Sequence, residues 1–243
     1  AFGIFFSGCL NAQLAGDLVQ DLRGGRGGNS TAAGTGNGAG GPAGQALGLA
    51  VYGADGMTTV SDLSVAFLTG GHGGNARIGG SGGNSTAVFV SGFGSRFNAT
   101  SLSGLAIQNI TGGAGGNGLA SGGEGGPATG ILEFHVNASL LSDSVQNLRG
   151  GDGGAAVGTN PAGSGGTAAG IALGFTPRSV SSLDVLNQIV PGLRGAVGSA
   201  PPPGHGVGYY FVGDRTTTLH ATVTNATIVG ASDTDLDVDN YTG

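Results

Sequence analysis

The chain has 243 residues, 56 of which are glycine, and its 8 arginines and 14 acidic residues give a formal net charge of −6 at pH 7. Without a positively charged stripe there is nothing to displace the counterions of phosphates, so we expect no nucleic-acid partner. No apolar run reaches the roughly 18 residues that a membrane span needs, so we expect no span. Glycine without a strict Gly-X-Y order excludes collagen, and a single cysteine, Cys9, provides no disulfide framework.

One apolar stretch recurs along the whole chain, preceded in all but the first case by a glycine-rich tract. It reads AFGIFFS, ALGLAVY, TAVFVSG, ATGILEF, AAGIALG and GVGYYFV, and it starts at Ala1, Ala46, Thr86, Ala128, Ala168 and Gly206. Successive starts lie 45, 40, 42, 40 and 38 residues apart, so the sequence predicts about six repeats of about 41 residues. We expect one β-solenoid domain over residues 1–243, with repeats at approximately 1–45, 46–85, 86–127, 128–167, 168–205 and 206–243.

The first half of each repeat predicts three short strands. In the fourth repeat they are GILEFHV, ASLLSD and SVQNL, in which apolar residues alternate with polar ones and the breaks indicate tight turns. Three such strands can form the sides of one coil of a parallel β-helix. Asparagine and aspartate, which tolerate left-handed turns, recur at two corners: Asn11, Asn98 and Asn137 at one, and Asp21, Asn109 and Asn147 at the other.

The second half of a repeat is rich in glycine, as in GGHGGNARIGGSGG and GGDGGAAVGTNPAGSGGTAAG. Glycine pairs three residues apart fit an extended left-handed chain with three residues per turn. We therefore expect polyglycine-II-like arms that approach one another closely enough for backbone contacts. The alternative is a set of flexible surface loops, because ordering so much glycine costs conformational entropy.

The pattern ATGILEF…NASLLSDSVQNLRGGDGG resembles the glycine-rich right-handed parallel β-helix repeat proteins of microbial cell surfaces, within the broad pectate-lyase-like superfamily. The resemblance covers essentially the whole chain and implies a parallel β-helix. Proteins of this kind include adhesins, surface-layer proteins, carbohydrate binders and polysaccharide-cleaving enzymes, so the fold carries over better than any one function. The long glycine arms depart from the enzyme members, whose coils are more compact.

Acidic residues do not form the clusters that a polysaccharide-cleaving enzyme needs. Asp17, Asp62 and Asp143 fall near the same place in repeats one, two and four, but Gly104 stands there in repeat three. Glycoside hydrolysis needs paired carboxylates, and lyase chemistry needs Ca²⁺ and a strong base. We therefore expect no enzyme activity, and no cofactor apart from the Ca²⁺ considered next.

The C-terminal stretch SDTDLDVDN is the candidate metal site. Its aspartates alternate with other residues, so a strand would place all four carboxylates on one face, where like charges repel and a Ca²⁺ ion would relieve the repulsion. The four are Asp233, Asp235, Asp237 and Asp239. A solvated strand face is the alternative, because the glycine and the distal glutamate of a calcium loop are missing.

Seven Asn-X-Ser/Thr sequons occur in the chain, where chance would give about two. They begin at Asn29, Asn84, Asn98, Asn109, Asn137, Asn225 and Asn240. The excess favours a glycosylated protein that is secreted, in the extracellular space or at the cell surface. Alternatively, asparagine, serine and threonine are simply common turn residues in such repeats.

A solenoid needs covers at both ends, because an open coil exposes apolar side chains and unpaired strand edges. The chain begins at Ala1 within a repeat, and we interpret it as a processed product or a segment of a longer chain. The simplest cover is the far end of an identical copy, a head-to-tail contact that propagates into an open filament. We expect an extracellular structural protein of this kind; the alternative is an adhesin or glycan-binding module whose neighbouring domains cover the ends.

Overall fold

The computed structural model describes residues 1–8, 11–30, 38–53, 57–92, 98–134, 136–158, 160–174, 181–186, 189–191, 206–212, 219–224, 227–229 and 234–239. Within these ranges every regular element is a β-strand, and every pairing between strands is parallel. The predicted all-β fold class is therefore confirmed at this level. None of the described residues lies in a helix that is long and apolar enough to span a membrane.

Among the described residues, 21 strands follow one another along the chain. They are β1 Phe2–Ser7, β2 Gln13–Ala15, β3 Leu18–Gln20, β4 Ala46–Tyr52, β5 Met57–Ser61, β6 Ser64–Thr69, β7 Ala76–Ile78, β8 Ser85–Ser91, β9 Asn98–Ser103, β10 Ala106–Thr111, β11 Gly118–Ser121, β12 Ala128–Phe134, β13 Val136–Leu141, β14 Ser144–Arg149, β15 Ala168–Gly174, β16 Ser181–Leu186, β17 Ile189–Pro191, β18 Gly206–Val212, β19 Leu219–Thr224, β20 Thr227–Val229 and β21 Thr234–Asp239.

Three large parallel sheets contain all but two of these strands. Sheet I has the order β1-β4-β8-β12-β15-β18-β21, sheet II has the order β2-β5-β9-β13-β16-β19, and sheet III has the order β3-β6-β10-β14-β17-β20. The chain visits sheets I, II and III in turn, and we call each such set of three strands a triplet. The described strands make six triplets, after which β21 rejoins sheet I. This topology is compatible with a parallel β-solenoid.

One buried apolar cluster draws residues from all three large sheets. The register of sheet I aligns equivalent inward-facing residues of successive strands into columns, and one such column contains Ile4, Leu49, Val88, Ile131 and Ile171. The last four of these are completely buried. Burial of each such side chain stabilises the fold by about 1.5–3 kcal/mol, so the register is fixed by the core.

Left-handed backbone marks one corner of the molecule, at the outward positions of sheet III. Asp21, Phe67, Asn109 and Asn147 have φ angles of 57°, 57°, 57° and 55°, and the residues that flank them pair across sheet III. The predicted corner of Asp21, Asn109 and Asn147 is therefore confirmed. Phe67 shares this corner, although a bulky side chain is rarely found in that conformation.

The other predicted corner is wrong by one residue. Asn98 pairs with Val136, whereas Asn137 pairs with Ala99, so the two asparagines lie in adjacent columns. The register is set by the pairing of Leu102 with Leu140, which brings the leucines together. Leu102 is the fourth residue after Asn98, whereas Leu140 is only the third residue after Asn137, so an alignment on asparagine fails.

The last repeat lacks the glycine arm that the repeat pattern predicts. β20 ends at Val229 and β21 begins at Thr234, so only residues 230–233 connect them. The chain after β20 returns directly to sheet I, where β21 pairs with β18. The C-terminal acidic stretch is therefore a seventh strand of sheet I.

Candidate functional site

The glycine-rich arms between triplets form a continuous network of backbone hydrogen bonds, which we call the glycine lattice (described residues within 24–44, 70–83, 112–126 and 150–166). Each arm runs out from sheet III and returns to sheet I. Gly44 N donates to Gly25 O at 2.7 Å, Gly71 N donates to Gly44 O at 3.0 Å, and Gly83 N donates to Gly71 O at 2.9 Å. The same alternation of outgoing and returning legs continues to Gly166, so successive arms hold one another.

The bonds between arms recur at every third residue. Gly27 N donates to His72 O at 2.8 Å, and Ser30 N donates to Asn75 O at 3.0 Å. Three-residue spacing is that of an extended threefold helix without internal hydrogen bonds, which leaves every backbone group free to bond a neighbour. Arg26 and His72, which stand between glycine pairs, are exposed. The described arms are therefore ordered by one another rather than loose at the surface.

Glycine is required in the lattice by close approach and not by backbone conformation. A Cβ on Gly71 would lie 2.0 Å from Gly25 O, and one on Gly113 would lie 1.8 Å from Gly71 O. No real Cβ tolerates such contacts, and the opposing atoms are backbone. A Cβ on Gly25, in the first arm, would meet nothing within 4 Å. The outer side of the first arm is thus an uncovered layer of the lattice.

An asparagine ladder joins the outgoing legs beyond the glycine pairs. Asn75 N donates to Asn29 Oδ1 at 2.8 Å, Asn117 N donates to Asn75 Oδ1 at 2.8 Å, and Ala155 N donates to Asn117 Oδ1 at 2.9 Å. The ladder fixes the register of the legs from side chain to backbone. Asn29 is also a sequon, and its ladder bond uses the carbonyl oxygen, whereas a glycan is attached to the amide nitrogen.

The first triplet exposes apolar side chains at positions that are buried in later triplets. Phe2 is 55% exposed, although its partner Leu47 in the same column of sheet I is only 5% exposed. Thr86, Thr129 and Ala169 continue this column and are also buried. Phe2 is therefore exposed at a position where the later strands of its column are covered.

A row of aromatic rings crosses the strands of sheet I. The ring centroids of Phe5 and Tyr52 are 5.6 Å apart, those of Tyr52 and Phe89 are 4.9 Å apart, and those of Phe89 and Phe134 are 5.9 Å apart. These separations are within the range of favourable aromatic pairs. All four rings keep part of their surface exposed, so the row both links successive strands and offers an aromatic surface to solvent.

Two buried carboxyl groups meet in the fourth triplet, and sequence reasoning missed one of them. Glu133 is 1% exposed, and it pairs in sheet I with Val90 on one side and Leu173 on the other. Among the described residues its carboxyl oxygens have no hydrogen-bond partner. Burial raises the pKa of Glu133 to about 8, and the charge of Asp143 adds to the rise.

Asp143 is buried as well, and its Oδ1 accepts a hydrogen bond from Leu105 N at 2.8 Å. The pair has almost no contact with solvent, so it can hold a proton but cannot reach a substrate. A signal for Glu133 was present in the sequence. In GILEFHV it stands two residues after Ile131, on the apolar face of a period-two pattern.

The three aspartates that the sequence aligned are not in one column. Asp62 shares its column with Gly104, whereas Asp143 aligns with Leu105 and Asp17 aligns with Leu63, one residue further on. The pairing of neighbouring strands decides these positions, so counting residues from repeat to repeat misplaced Asp62 by one.

The predicted glycosylation sites fall in different surroundings. Asn29 and Asn84 are exposed, and Asn109 is half-buried at a left-handed corner. Asn98 and Asn137 lie in strands β9 and β13, and Asn225 and Asn240 lie outside the described residues. Occupancy of all seven stays a prediction.

Three of the four predicted calcium ligands belong to the seventh strand of sheet I. Asp235, Asp237 and Asp239 lie in β21, and Asp233 lies outside the described residues. Among the described residues no group of three or more His, Cys, Asp or Glu side chains is placed to hold a metal ion. Calcium binding at this stretch stays a prediction.

Comparison with protein-family models, with curated proteins and with solved structures found no match. The resemblance to glycine-rich β-helix proteins of microbial surfaces therefore stays a prediction, and the function is argued from the molecule itself.

Proposed function

We propose that the chain is a secreted structural protein that assembles end to end with copies of itself into a filament or surface coat. Under this proposal residues 1–243 form one β-solenoid of six coils, each contributed by a repeat of about 41 residues. The succession of six triplets through sheets I, II and III supports the solenoid. The three-residue periodicity of the glycine lattice supports polyglycine-II-like arms.

The exposure of Phe2 is the observation that carries the assembly. Among the residues of its column whose burial is described, Leu47, Thr86, Thr129 and Ala169 are buried, whereas Phe2 in the outermost described strand is 55% exposed. An apolar edge of this kind invites strand addition by another chain. All strand pairings among the described residues are parallel, so a head-to-tail copy can continue the sheets in the same direction.

The proposed function is mechanical and involves no turnover. Hydrogen bonds along the sheets and across the glycine lattice would carry load along the axis, as in other stacked repeats. The buried pair of Glu133 and Asp143 is enclosed by the core and contributes to no surface site. We therefore propose no substrate and no organic cofactor.

Negative-stain electron microscopy of the chain over a range of concentrations tests the proposal. We expect long unbranched fibres above a threshold concentration, with an axial repeat near six strand spacings, or about 29 Å. Short rods of uniform length at every concentration would contradict end-to-end assembly and favour the alternative below.

A pair of matched variants tests the role of the exposed edge. Phe2→Glu places a charge on the outermost strand, and Leu119→Glu places one on a glycine arm at a residue that is 63% exposed. Neither changes a buried residue, so both should fold like the parent by circular dichroism. We expect Phe2→Glu to abolish fibres and Leu119→Glu to leave them unchanged. Equal effects of the two variants would mean that assembly does not depend on the first triplet.

Secretion and glycosylation are part of the proposal and have their own test. Asn29 and Asn84 each follow a glycine pair in the sequence GGNST and are exposed, so glycans there would coat the outside of a fibre. We expect glycopeptide mass spectrometry of the protein from its natural source to find both sites occupied. Unmodified peptides at both would remove this support for an extracellular location.

The alternative function is an adhesin or glycan-binding module of a larger surface protein. The partly exposed row of Tyr52, Phe89 and Phe134 favours it, because aromatic rings are common surfaces for sugar rings. Binding of a soluble polysaccharide that is lost in Phe89→Ala, with no fibres at any concentration, would favour this function over assembly.

A further inference from the structure

The asparagine ladder holds two groups of each asparagine unit and not only the side chain. Asn75 N donates to Asn29 Oδ1 at 2.8 Å, and Asn75 O accepts a hydrogen bond from Ser30 N at 3.0 Å. One residue of the next arm therefore fastens both the carbonyl oxygen of an asparagine side chain and the backbone amide of the residue that follows the asparagine. We call this pair of hydrogen bonds a clamp.

The same clamp occurs twice more along the ladder. Asn117 N donates to Asn75 Oδ1 at 2.8 Å, and Asn117 O accepts from Ala76 N at 3.2 Å. Ala155 N donates to Asn117 Oδ1 at 2.9 Å, and Ala155 O accepts from Gly118 N at 2.9 Å. The three clamps share one pattern of bonds and differ in the residue that follows the asparagine, which is serine, alanine or glycine in turn.

The two groups in each clamp belong to the reactants of asparagine deamidation. In this reaction the backbone nitrogen of the next residue attacks Cγ of the asparagine and forms a C–N bond. The bond from Cγ to Nδ2 breaks, and Nδ2 leaves as ammonia with the proton of the attacking N–H. Water then opens the succinimide ring at either carbonyl, which gives aspartate or isoaspartate. A glycine in the next position favours the attack, because it has no side chain to crowd Cγ and its backbone is the least restricted.

Asn117 combines a reactive sequence with a closed clamp. It is exposed and is followed by Gly118, yet Gly118 N cannot turn towards Cγ without breaking its hydrogen bond to Ala155 O. The fourth arm (150–166) is fastened over the third (112–126) by a further bond, in which Asn160 Nδ2 donates to Leu119 O at 2.8 Å. The stacked fourth arm therefore restrains the reaction that the sequence favours.

We propose that Asn117 is a deamidation site that the glycine lattice keeps closed. While the fourth arm lies on the third, the clamp of Ala155 prevents the attack. When the fourth arm lifts by local opening, Gly118 N is released and the reaction proceeds at a rate set by how often the arm is open. The site goes beyond the proposed assembly and does not depend on it.

The two products affect the third arm differently. Aspartate keeps an oxygen that accepts the hydrogen bond of Ala155 N. Isoaspartate leads the main chain through the former side chain and adds a carbon atom to it, so Gly118 and the rest of β11 shift against β7, with which they pair. Conversion to isoaspartate would therefore make a temporary opening of the arms permanent.

Peptide mass spectrometry of the parent chain, incubated folded in buffer and unfolded in urea, tests the site. In urea we expect Asn117 to become a mixture of aspartate and isoaspartate, and to do so faster than Asn75, because the side chain of Ala76 crowds the attack. In the folded chain we expect conversion at Asn117 to be at least about tenfold slower than in urea. Equal rates in the two states would overturn protection by the lattice, and no conversion in urea would overturn the site.

One other asparagine of the chain precedes a glycine and has to be measured separately. This is Asn37, which lies outside the described residues. Cleavage after Arg77 places Asn37 and Asn117 in different peptides, so the two conversions are distinguished.

A pair of variants at Ala155 tests the clamp itself. Ala155→Pro removes the N–H that holds Asn117 Oδ1 and keeps the carbonyl, and the φ of proline suits an extended threefold chain. Ala155→Ser keeps both groups of the clamp at the same exposed position and is the control. We expect conversion at Asn117 in folded Ala155→Pro to be about tenfold faster than in the parent, and Ala155→Ser to match the parent.

Equal rates in the two folded variants would overturn the role of Ala155. If circular dichroism shows that Ala155→Pro does not fold, the comparison of the folded and unfolded parent decides, because it needs no substitution.

Discussion

Glu133 is an ionisable residue at a core position that apolar residues occupy in neighbouring strands. Its column neighbours Val51 and Val90 are buried valines, and burial next to Asp143 raises its pKa to about 8 from 4.5. The folded chain therefore keeps a proton that the unfolded chain releases. The stability associated with the protonated form is complete below pH 4.5 and is lost as the pH rises to about 8, by roughly 1.4 kcal/mol per pH unit over that range.

We expect Glu133→Val to remove this dependence on pH. The variant should resemble the parent near pH 4.5 and should exceed it by several kcal/mol at pH 8, because no buried charge has to form. Urea unfolding of both chains at the two pH values measures the difference. Glu124→Gln, which removes an exposed carboxylate, is the control and should keep the slope of the parent; a Glu133→Val chain that is no more stable at pH 8 would contradict the assignment.

Phe67 has a strained left-handed backbone at a corner where the equivalent residues of neighbouring strands are polar. It has a φ of 57° and is 51% exposed, and Asp21 and Asn109 adopt the same conformation at this corner. Left-handed backbone costs most residues about 1–2 kcal/mol, and less for aspartate and asparagine. We expect Phe67→Asp to raise the free energy of unfolding by about 1 kcal/mol, measured by urea titration.

Aspartate is the better choice for this test because Phe67→Asn would create the sequon Asn-Leu-Thr with Leu68 and Thr69. Leu119→Asp is the control, since it also replaces an exposed apolar residue but without a left-handed φ. An equal gain in both variants would assign the effect to surface polarity and not to the backbone.

Within the glycine arms, the glycines differ in whether the lattice has room for a Cβ atom. Gly71→Ala would push a Cβ into Gly25 O, whereas Gly25→Ala enters open space. We expect Gly71→Ala to lower the free energy of unfolding by about 1–3 kcal/mol or more. Gly25→Ala should raise it by about 0.5 kcal/mol, because alanine restricts the unfolded chain. Thermal unfolding of the two variants beside the parent measures both, and a similar loss in each would mean that the arms do not pack in this register.

Most strands of sheet I could be predicted from the sequence because a recurrent apolar stretch follows a glycine tract. β4, β12, β15 and β18 begin at the predicted Ala46, Ala128, Ala168 and Gly206. The burial of Glu133 and the offset of Asn98 from Asn137 could not be predicted from the sequence, because both depend on which residues of neighbouring strands pair. The asparagine ladder likewise requires the arms to be stacked before Asn29 and Asn75 can meet.

For the whole molecule, a stack of triplets implies a gradient of stability along its axis. Each triplet and arm contacts only its neighbours, so an outer layer has half the contacts of an inner one. Three glycine amides allow a controlled comparison, because Gly24, Gly70 and Gly112 each donate a 2.9 Å hydrogen bond to the last residue of the neighbouring strand of sheet III. They differ in position and not in residue type or bond length.

We expect hydrogen exchange of the single chain to be at least about tenfold faster at Gly24 than at Gly70 and Gly112, because local opening of the outer layer breaks fewer contacts. Heteronuclear NMR after transfer to D₂O measures the three amides separately. Assembly should slow exchange at Gly24 towards the inner value, because a second copy covers the first triplet. Equal exchange rates in the single chain would mean that the stack opens only as a whole. The first triplet would then be as stable as the inner ones, and a second copy would not stabilise it selectively.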